Sequence, residues 1–131
     1  MLEIAGIDHV VLRVRDAEAA IRFYSDVLGC DVEKRNDAIG LIHLRAGDSL
    51  IDLVPLDGQL GAAGGAGPVD EGRNVDHICL RLRDFDLEGV MAHLTNHGVD
   101  FDAPASRYGA SGEDLSIYLR DPDGNGLELR G

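Results

Sequence analysis

Residues 7–14 of the chain alternate between the two faces of a predicted β-strand. Side chains of a strand point in turn to opposite sides of its sheet, with a period of two residues. One face carries Val10, Leu12 and Val14, and the opposite face carries His9, Val11 and Arg13. We expect the first face to pack against a helix and the second to look into the space that the sheet encloses.

The stretch at residues 7–16 occurs a second time, 68 positions later, at residues 75–84. Six of the ten aligned positions are identical, and His9 is matched by His77. A repeat of this quality indicates two copies of one supersecondary unit. Each copy therefore opens with a strand that carries a histidine.

A helix and three strands are predicted to follow in the first copy. Asp16 suits the N-cap position, because its side-chain oxygen can accept a hydrogen bond from a backbone N–H group of the first turn. Apolar residues recur at helical spacing over 20–28, and Gly29 suits the left-handed backbone that ends a helix. Further strands are predicted at 31–35, 39–46 and 50–54.

The second copy repeats this order. A strand at 75–82 leads to a helix that begins near Asp84 or Asp86 and ends at Gly98. The remaining predicted elements are a short strand at 99–101, a polar loop at 105–114, and strands at 115–120 and 126–130. Each copy reads β-α-β-β-β, so the predicted fold class is α+β, with two βαβββ modules forming a half-barrel cup.

The glycine-rich segment at 57–73 has no hydrophobic periodicity. Glycine loses much conformational freedom on ordering, so we interpret this segment as an unpacked linker. It would join a module at about 4–56 to a module at about 74–131, within a single domain of 131 residues.

Charge and composition narrow the classes of partner. The formal net charge of -12 argues against nucleic acid or an anionic membrane. No signal-peptide pattern is present, and no apolar run approaches the ~20 residues of a membrane span. The two cysteines, Cys30 and Cys79, cannot form a disulfide framework. We expect a reduced, cytoplasmic protein.

The alternation of side chains along each strand, which we call strand parity, places one acid in each copy on the same sheet face as the histidine. Asp52 lies between two core-facing residues of the first copy's last strand, and Glu128 lies between two in the second copy. Taken singly, each residue also fits an ordinary role, since an acid between apolar neighbours often faces solvent. Together, His9, Asp52, His77 and Glu128 are nitrogen and oxygen ligands that suit a divalent metal, with positions left for water or substrate.

These motifs resemble the vicinal oxygen chelate superfamily. The resemblance rests on residues 8–12, 23–29 and 76–80 and on the closing motif at 118–129, which reads YLRDPDGNGLEL. The superfamily includes glyoxalase I, fosfomycin-resistance proteins, methylmalonyl-CoA epimerase, extradiol dioxygenases and bleomycin-binding proteins. The resemblance implies sheets that form a cup around a metal, commonly completed by a second subunit. It puts metal ligands at His9, His77 and Glu128, with Asp52 at the fourth position that glyoxalase I uses.

Departures from the family patterns bear on the choice of activity. Glyoxalase I carries glutamate where this chain has Asp52, and fosfomycin-resistance proteins commonly carry threonine where Val11 stands. Residues 109–116 nevertheless resemble the fosfomycin-resistance loop. Bleomycin-binding proteins lack metal ligands at these positions, and extradiol enzymes need only two histidines and a glutamate.

We predict a glyoxalase-I-like lyase or isomerase that requires a divalent metal: Ni, Co, Zn, Mn or Fe. The resemblance implies that the metal holds two adjacent substrate oxygens and stabilises an enediolate. Glu128 is the predicted base, with Asp52 as the competing candidate. The alternatives are a fosfomycin-type thiol or epoxide transferase, a ring-cleaving dioxygenase, and a protein that binds a small molecule or antibiotic without reaction.

Several inward-facing polar residues are candidates for substrate binding. An arginine in such a cup can hold an anionic group through two hydrogen bonds. The candidates are Arg13, His43, Tyr118 and Arg120. We predict a small-molecule substrate, with a thiol conjugate as one candidate, and we predict that the protein forms a homodimer.

Overall fold

The computed structural model describes all 131 residues and divides them into two compact units. The first unit is Met1–Val69 and the second is Asp70–Gly131. Each unit contains one four-stranded sheet with the same strand order.

The first unit begins with strand β1 (His9–Val14) and helix α1 (Ala17–Arg22), which continues as a π-helical turn over Phe23–Val27. The strands β2, β3 and β4 and a short helix α2 follow at Asp31–Asn36, Leu41–Ala46, Ser49–Pro55 and Gln59–Ala62. The sheet order is β1-β4-β3-β2, in which only the β1–β4 pair is parallel.

The second unit repeats this topology. Its elements are β5 (His77–Arg81), α3 (Leu87–Asn96), β6 (Ala105–Gly109), β7 (Gly112–Arg120) and β8 (Gly126–Arg130). The order β5-β8-β7-β6 again contains one parallel pair, β5 with β8. The predicted α+β fold of two βαβββ modules is confirmed.

The helix starts follow the predicted caps. The Asp16 carboxylate accepts a hydrogen bond from the Ala19 N–H group at 3.0 Å, and Asp86 caps α3 through the Gly89 N–H group at 3.2 Å. These bonds satisfy backbone donors that lack a partner within the helix. Gly29 has a φ of 73° after the π-helical turn, as the predicted helix end requires.

The apolar face of each sheet forms the core of its unit. In the first unit the buried strand residues are Leu12, Val14, Ile42, Leu44, Ile51 and Leu53. In the second unit they are Ile117, Leu119, Leu127 and Leu129. All of these lie on the faces that strand parity predicted, so the opposite face of each sheet carries the polar residues.

One strand of the second unit lies away from its predicted position. Residues 105–109 form β6 rather than part of a loop, whereas near 99–101 only Phe101 pairs, through an isolated bridge to Leu119. The sequence of β6 is polar and its central residues are exposed, so no alternation of apolar residues marks it. Its pairing depends on β7, a contact that hydrophobic periodicity does not reveal.

The glycine-rich segment also differs from the expectation of an unpacked linker. Residues 59–62 form α2, and Gly61 is buried, where any Cβ atom would collide with the Pro55 carbonyl group. The absence of a side chain thus permits a close approach of two backbone segments. No helix of the chain is both long enough and apolar enough to cross a membrane.

Candidate functional site

Corresponding rows of residues cross the two sheets. In the first unit, Asp52 on the central strand β4 pairs with Val11 on one side and His43 on the other. In the second unit, Glu128 on β8 pairs with Cys79 and Tyr118 in the same way. Paired residues on neighbouring strands share a face. Tyr118 therefore occupies in its unit the position that His43 occupies in the first.

Asp52 is buried and has a partner. Its side chain is 5% exposed, and its Oδ1 atom lies 2.7 Å from Nδ1 of His43 on the adjacent strand. A buried carboxylate is costly unless it is hydrogen-bonded or paired, and His43 supplies that partner. Residue 52 thus faces neither solvent nor the apolar core.

Glu128 is equally buried but less completely paired. Its Oε2 atom lies 3.3 Å from Nε2 of His77, while its Oε1 atom is buried without a hydrogen-bond partner. The hydroxyl group of Ser116 is likewise buried and unpaired. A buried carboxylate oxygen without a hydrogen-bond partner, close to a histidine, is available to bind a cation.

The pKa of Glu128 is lowered from its ordinary value. Burial by itself raises that pKa, but the nearby groups of Ser116, Tyr118 and Cys79, together with His77, outweigh it. The Ser116 hydroxyl acts by proximity, since it completes no hydrogen bond of normal geometry to Oε1. Glu128 is therefore a carboxylate at neutral pH.

Each histidine of the repeat is held by the aspartate that precedes it. Nδ1 of His9 lies 2.7 Å from the Asp8 carboxylate, and Nδ1 of His77 lies 2.7 Å from the Asp76 carboxylate. The hydrogen bond to Asp8 raises the pKa of His9, and the hydrogen bond to His77 lowers the pKa of Asp76.

A carboxylate at Nδ1 keeps the proton on that nitrogen and leaves the lone pair of Nε2 for another partner. Histidines that bind metals are commonly oriented in this way. The aspartates were missed as functional candidates in the sequence. The signal was present, because Asp8 and Asp76 are identical positions of the repeat.

An open cavity of about 750 Å³ lies on the polar face of the first unit's sheet. Two predicted metal ligands, His9 and Asp52, line it together with the predicted substrate residues Arg13 and His43. The rest of the lining is Asp8, Val11, Leu41, Leu50, Val54, Leu60 and Gly64. Polar and apolar side chains thus share the sheet face that lines the cavity.

The other predicted substrate residues lie in the second unit. The Tyr118 ring makes an edge-to-face contact with His77 at 5.2 Å, and the Arg107 guanidinium lies 5.4 Å from the Tyr118 ring centre. Burial, followed by the hydrogen bond with Glu128, raises the pKa of Tyr118. Arg120 donates instead to the Gly124 carbonyl group at 3.1 Å, within the turn before β8. Substrate binding by these residues stays a prediction.

The turn between β7 and β8 fixes the strand that carries Glu128. The buried Asp121 carboxylate accepts hydrogen bonds from the backbone N–H groups of Asp123 and Asn125, both at 2.9 Å. It also accepts one from the Asn125 side chain at 2.8 Å. These bonds lock the turn and thereby the start of β8.

The structure assembles the predicted ligands in pairs. His9 and Asp52 belong to the first unit, and His77 and Glu128 belong to the second. Neither unit by itself gathers three or more histidine, cysteine or acid side chains in a metal-binding arrangement. The donor chemistry fits a divalent cation, because an aspartate occupies Nδ1 of each histidine and Glu128 has an unpaired oxygen. Nε2 of His77 lies 3.3 Å from Oε2 of Glu128, a contact that a cation between the two side chains would replace.

Comparison with known proteins identifies relatives over most of the chain. Virulence protein STM3117 of Salmonella typhimurium is 32% identical over 128 residues, which cover 94% of this chain and 81% of that protein. An integron cassette protein from the mobile metagenome of V. cholerae is 32% identical with a TM-score of 0.79, covering 99% of this chain and 97% of that one.

Two more distant solved structures share the fold alone. Fosfomycin resistance protein FosX of Mesorhizobium loti is 23% identical, with a TM-score of 0.70 and coverage of 98% of this chain and 92% of that one. Lactoylglutathione lyase of Agrobacterium tumefaciens is 20% identical, with a TM-score of 0.71 and coverage of 97% and 93%.

The family profile agrees with the motifs read from the sequence. The Glyoxalase/Bleomycin resistance protein/Dioxygenase superfamily matches residues 6–129, which include both Asp-His pairs and the closing motif. The chain therefore belongs to the Glyoxalase/Bleomycin resistance protein/Dioxygenase superfamily, the vicinal oxygen chelate superfamily that its repeat resembles.

Proposed function

We propose that this protein is a divalent-metal-dependent lyase or isomerase of the glyoxalase type, acting on a small substrate with two adjacent oxygens. His9, Asp52, His77 and Glu128 would hold the cation, and the protein would form a homodimer. When bound, a divalent cation supplies Lewis-acid charge that polarises a carbonyl group and stabilises an enediolate.

The observation that supports this proposal best is the state of Glu128. Its carboxylate is buried, its Oε1 atom has no partner, and its pKa is lowered, so it carries a full negative charge. Beside it stands a histidine whose other ring nitrogen is fixed by Asp76. A purely structural acid at this position would leave the cost of its unpaired oxygen unexplained.

Glu128 is also the better candidate for the base. A proton moves from the hydroxyl-bearing substrate carbon to the Glu128 carboxylate and returns to the former carbonyl carbon. The hydroxyl proton passes to the other substrate oxygen, so that the product is an isomer of the substrate. The unpaired Oε1 atom can accept the proton from carbon without breaking a hydrogen bond within the chain. Asp52 is tied to His43 at 2.7 Å, which suits a ligand that stays in place.

Metal content and turnover test the proposal in one preparation. The protein is stripped with a chelator, reloaded separately with Ni, Co, Zn, Mn and Fe(II), and assayed for isomerisation of a hemithioacetal. We expect turnover with one or more metals and none after stripping. His77→Ala is expected to keep the fold, by circular dichroism, and to lose the metal.

Other results would support the other activities in the superfamily. Thiol addition to an epoxide without hemithioacetal turnover favours the transferase. Oxygen consumption with a catechol and Fe(II) favours the dioxygenase. Tight binding of a small molecule with no turnover favours a binding protein. Unchanged metal affinity in His77→Ala would place the metal elsewhere.

A further inference from the structure

The cavity of the first unit is bounded on one side by the glycine-rich segment. Leu60 and Gly64 line the cavity together with strand residues such as Leu50. We define residues 60–66 as the wall segment. Helix α2 accounts for only part of it, and its sequence, Leu-Gly-Ala-Ala-Gly-Gly-Ala, offers few side chains that could pack against the sheet.

Arg13 ties this wall segment to β1. Its Nε and Nη2 atoms donate to the Gly61 carbonyl group at 3.1 and 2.9 Å, and Nη1 donates to Ala66 at 3.2 Å. Nη2 also donates to the Gly65 carbonyl group. A planar guanidinium group has five donors in a fixed fork, so one side chain can hold several carbonyl groups at once.

The wall segment fits closely around that side chain. A Cβ atom added at Gly64 would lie 2.6 Å from Cζ of Arg13. Elsewhere the segment is tied to the unit by the Leu60 N–H group, which donates to the Ile39 carbonyl at 3.2 Å. Arg13 thus donates to the carbonyl groups of Gly65 and Ala66, whereas Gly61 is also fixed by its close approach to Pro55.

The second copy uses its equivalent arginine in a related way. Arg81, which aligns with Arg13 in the repeat, donates to the Ser111 hydroxyl group at 3.1 Å, in the turn between β6 and β7. In both copies the arginine of the first strand ties down a loop. This similarity indicates that Arg13 has a structural role rather than an anion-binding role.

We propose that Arg13 is a positioning residue that fixes the wall segment, and that the cavity behind this wall takes an apolar group of the substrate. Five apolar side chains line it: Val11, Leu41, Leu50, Val54 and Leu60. The proposal rests on the proposed function in one respect, because it places the substrate on the face that carries His9 and Asp52. An apolar group of the substrate buried there is removed from water, while the polar part of the substrate contacts His9 and His43.

The test uses the neutral apolar dye 1-N-phenylnaphthylamine, whose fluorescence rises in apolar surroundings, with chelator-treated full-length protein. We expect the wild type to bind it and Arg13→Gln to bind it ~10-fold less tightly. Arg13→Lys keeps the charge but not the fork, so it should resemble Arg13→Gln. Arg35→Gln is the charge-matched control and should bind normally, since Arg35 is bonded to Glu18 and Asp37 on the surface.

Three further experiments cover the case in which Arg13→Gln folds poorly or binds the dye elsewhere. Elastase should cleave after Ala62 or Ala63 faster in Arg13→Gln than in the wild type. Gly64→Ala, which keeps Arg13 but crowds it, should also weaken dye binding. Leu60→Asp should weaken it without loss of the Arg13 bonds.

Three results would overturn the proposal. The first is a wild type that does not bind the dye, and the second is an Arg13→Gln variant that binds it normally. The third is an Arg13→Gln variant that binds the neutral dye normally but no longer binds the anionic dye 8-anilinonaphthalene-1-sulfonate. Arg13 would then bind anions directly. These measurements need no metal, so their outcome is independent of turnover. If hemithioacetal turnover is absent, the proposed function is refuted, and the proposal for Arg13 and the cavity is still decided by the dye and protease measurements.

Discussion

The hydrogen bonds from His9 and His77 to their preceding aspartates predict a measurable loss of metal affinity when either is removed. Groups that orient a ligating histidine typically contribute ~10–100-fold to metal affinity. Asp76 bonds Nδ1 of His77 at 2.7 Å, but its side chain is 84% exposed. Water competes for so exposed a carboxylate, so we expect the lower end, ~10-fold, for Asp76→Ala.

The variants separate charge from hydrogen bonding. Asp76→Asn keeps an acceptor oxygen for Nδ1 and loses only the charge, so its loss should be smaller than that of Asp76→Ala. Asp8→Ala should act like Asp76→Ala, and the double variant should lose affinity by about the product, ~100-fold, if each aspartate orients its own ligand. Asp84→Asn is the control, since it removes one charge from the same unit at a position whose φ of 49° asparagine tolerates.

Affinity is measured by competition with a fluorescent zinc chelator at fixed pH, and folding by circular dichroism. If Asp76→Ala and Asp8→Ala both bind zinc as tightly as the wild type, Nε2 of these histidines does not ligate the metal. The ligand assignment would then be wrong for His9 and His77 together.

Three further predictions concern the catalytic base, the assembly state and the reactivity of Cys79. Glu128→Gln should keep some metal and lose ~10²–10⁴-fold in turnover, whereas Asp52→Asn should mainly weaken metal binding and recover in excess metal; the opposite behaviour would make Asp52 the base. Sedimentation at micromolar concentration should give about twice the 14.0 kDa chain mass, and a mass near 14.0 kDa would count against the dimer. The pKa of Cys79 is raised to about 11 by burial and then by Glu128, so iodoacetamide should label it slowly at pH 7 and faster as pH rises and thiolate forms. Glu128→Gln should speed that labelling at fixed pH, and equal rates would contradict the influence of Glu128 on the thiol.

Strand parity carried most of the information that the sequence held about the site. Alternation around Asp52 and Glu128 put both acids opposite the core, and the structure buries the flanking leucines and isoleucine as expected. The repeat gave the topology because both copies preserve the same order of apolar and polar positions. These signals are local, and they can be read without knowing which strands pair.

The features that were missed depend on contacts between distant residues. Strand β6 is polar on both sides and exists through its pairing with β7. The role of Arg13 depends on carbonyl groups 48 to 53 positions away, in a segment without periodicity. Asp8 and Asp76 were an exception, since their recurrence before each histidine was visible in the sequence.

The departures from symmetry between the two copies suggest how their tasks divide. Asp52 and Glu128 occupy equivalent positions, yet the neighbour of Asp52 is His43, which bonds it at 2.7 Å, and the neighbour of Glu128 is Tyr118. Asp52 is restrained by the short contact with His43, whereas Glu128 contacts His77 only through Oε2, at 3.3 Å, and keeps an unpaired Oε1 atom that can change partners. A site that binds a cation and also transfers a proton needs one acid that stays bound to the cation and one acid that can accept and return the proton. We therefore infer that the first copy provides the fixed ligand and the second copy the reactive one.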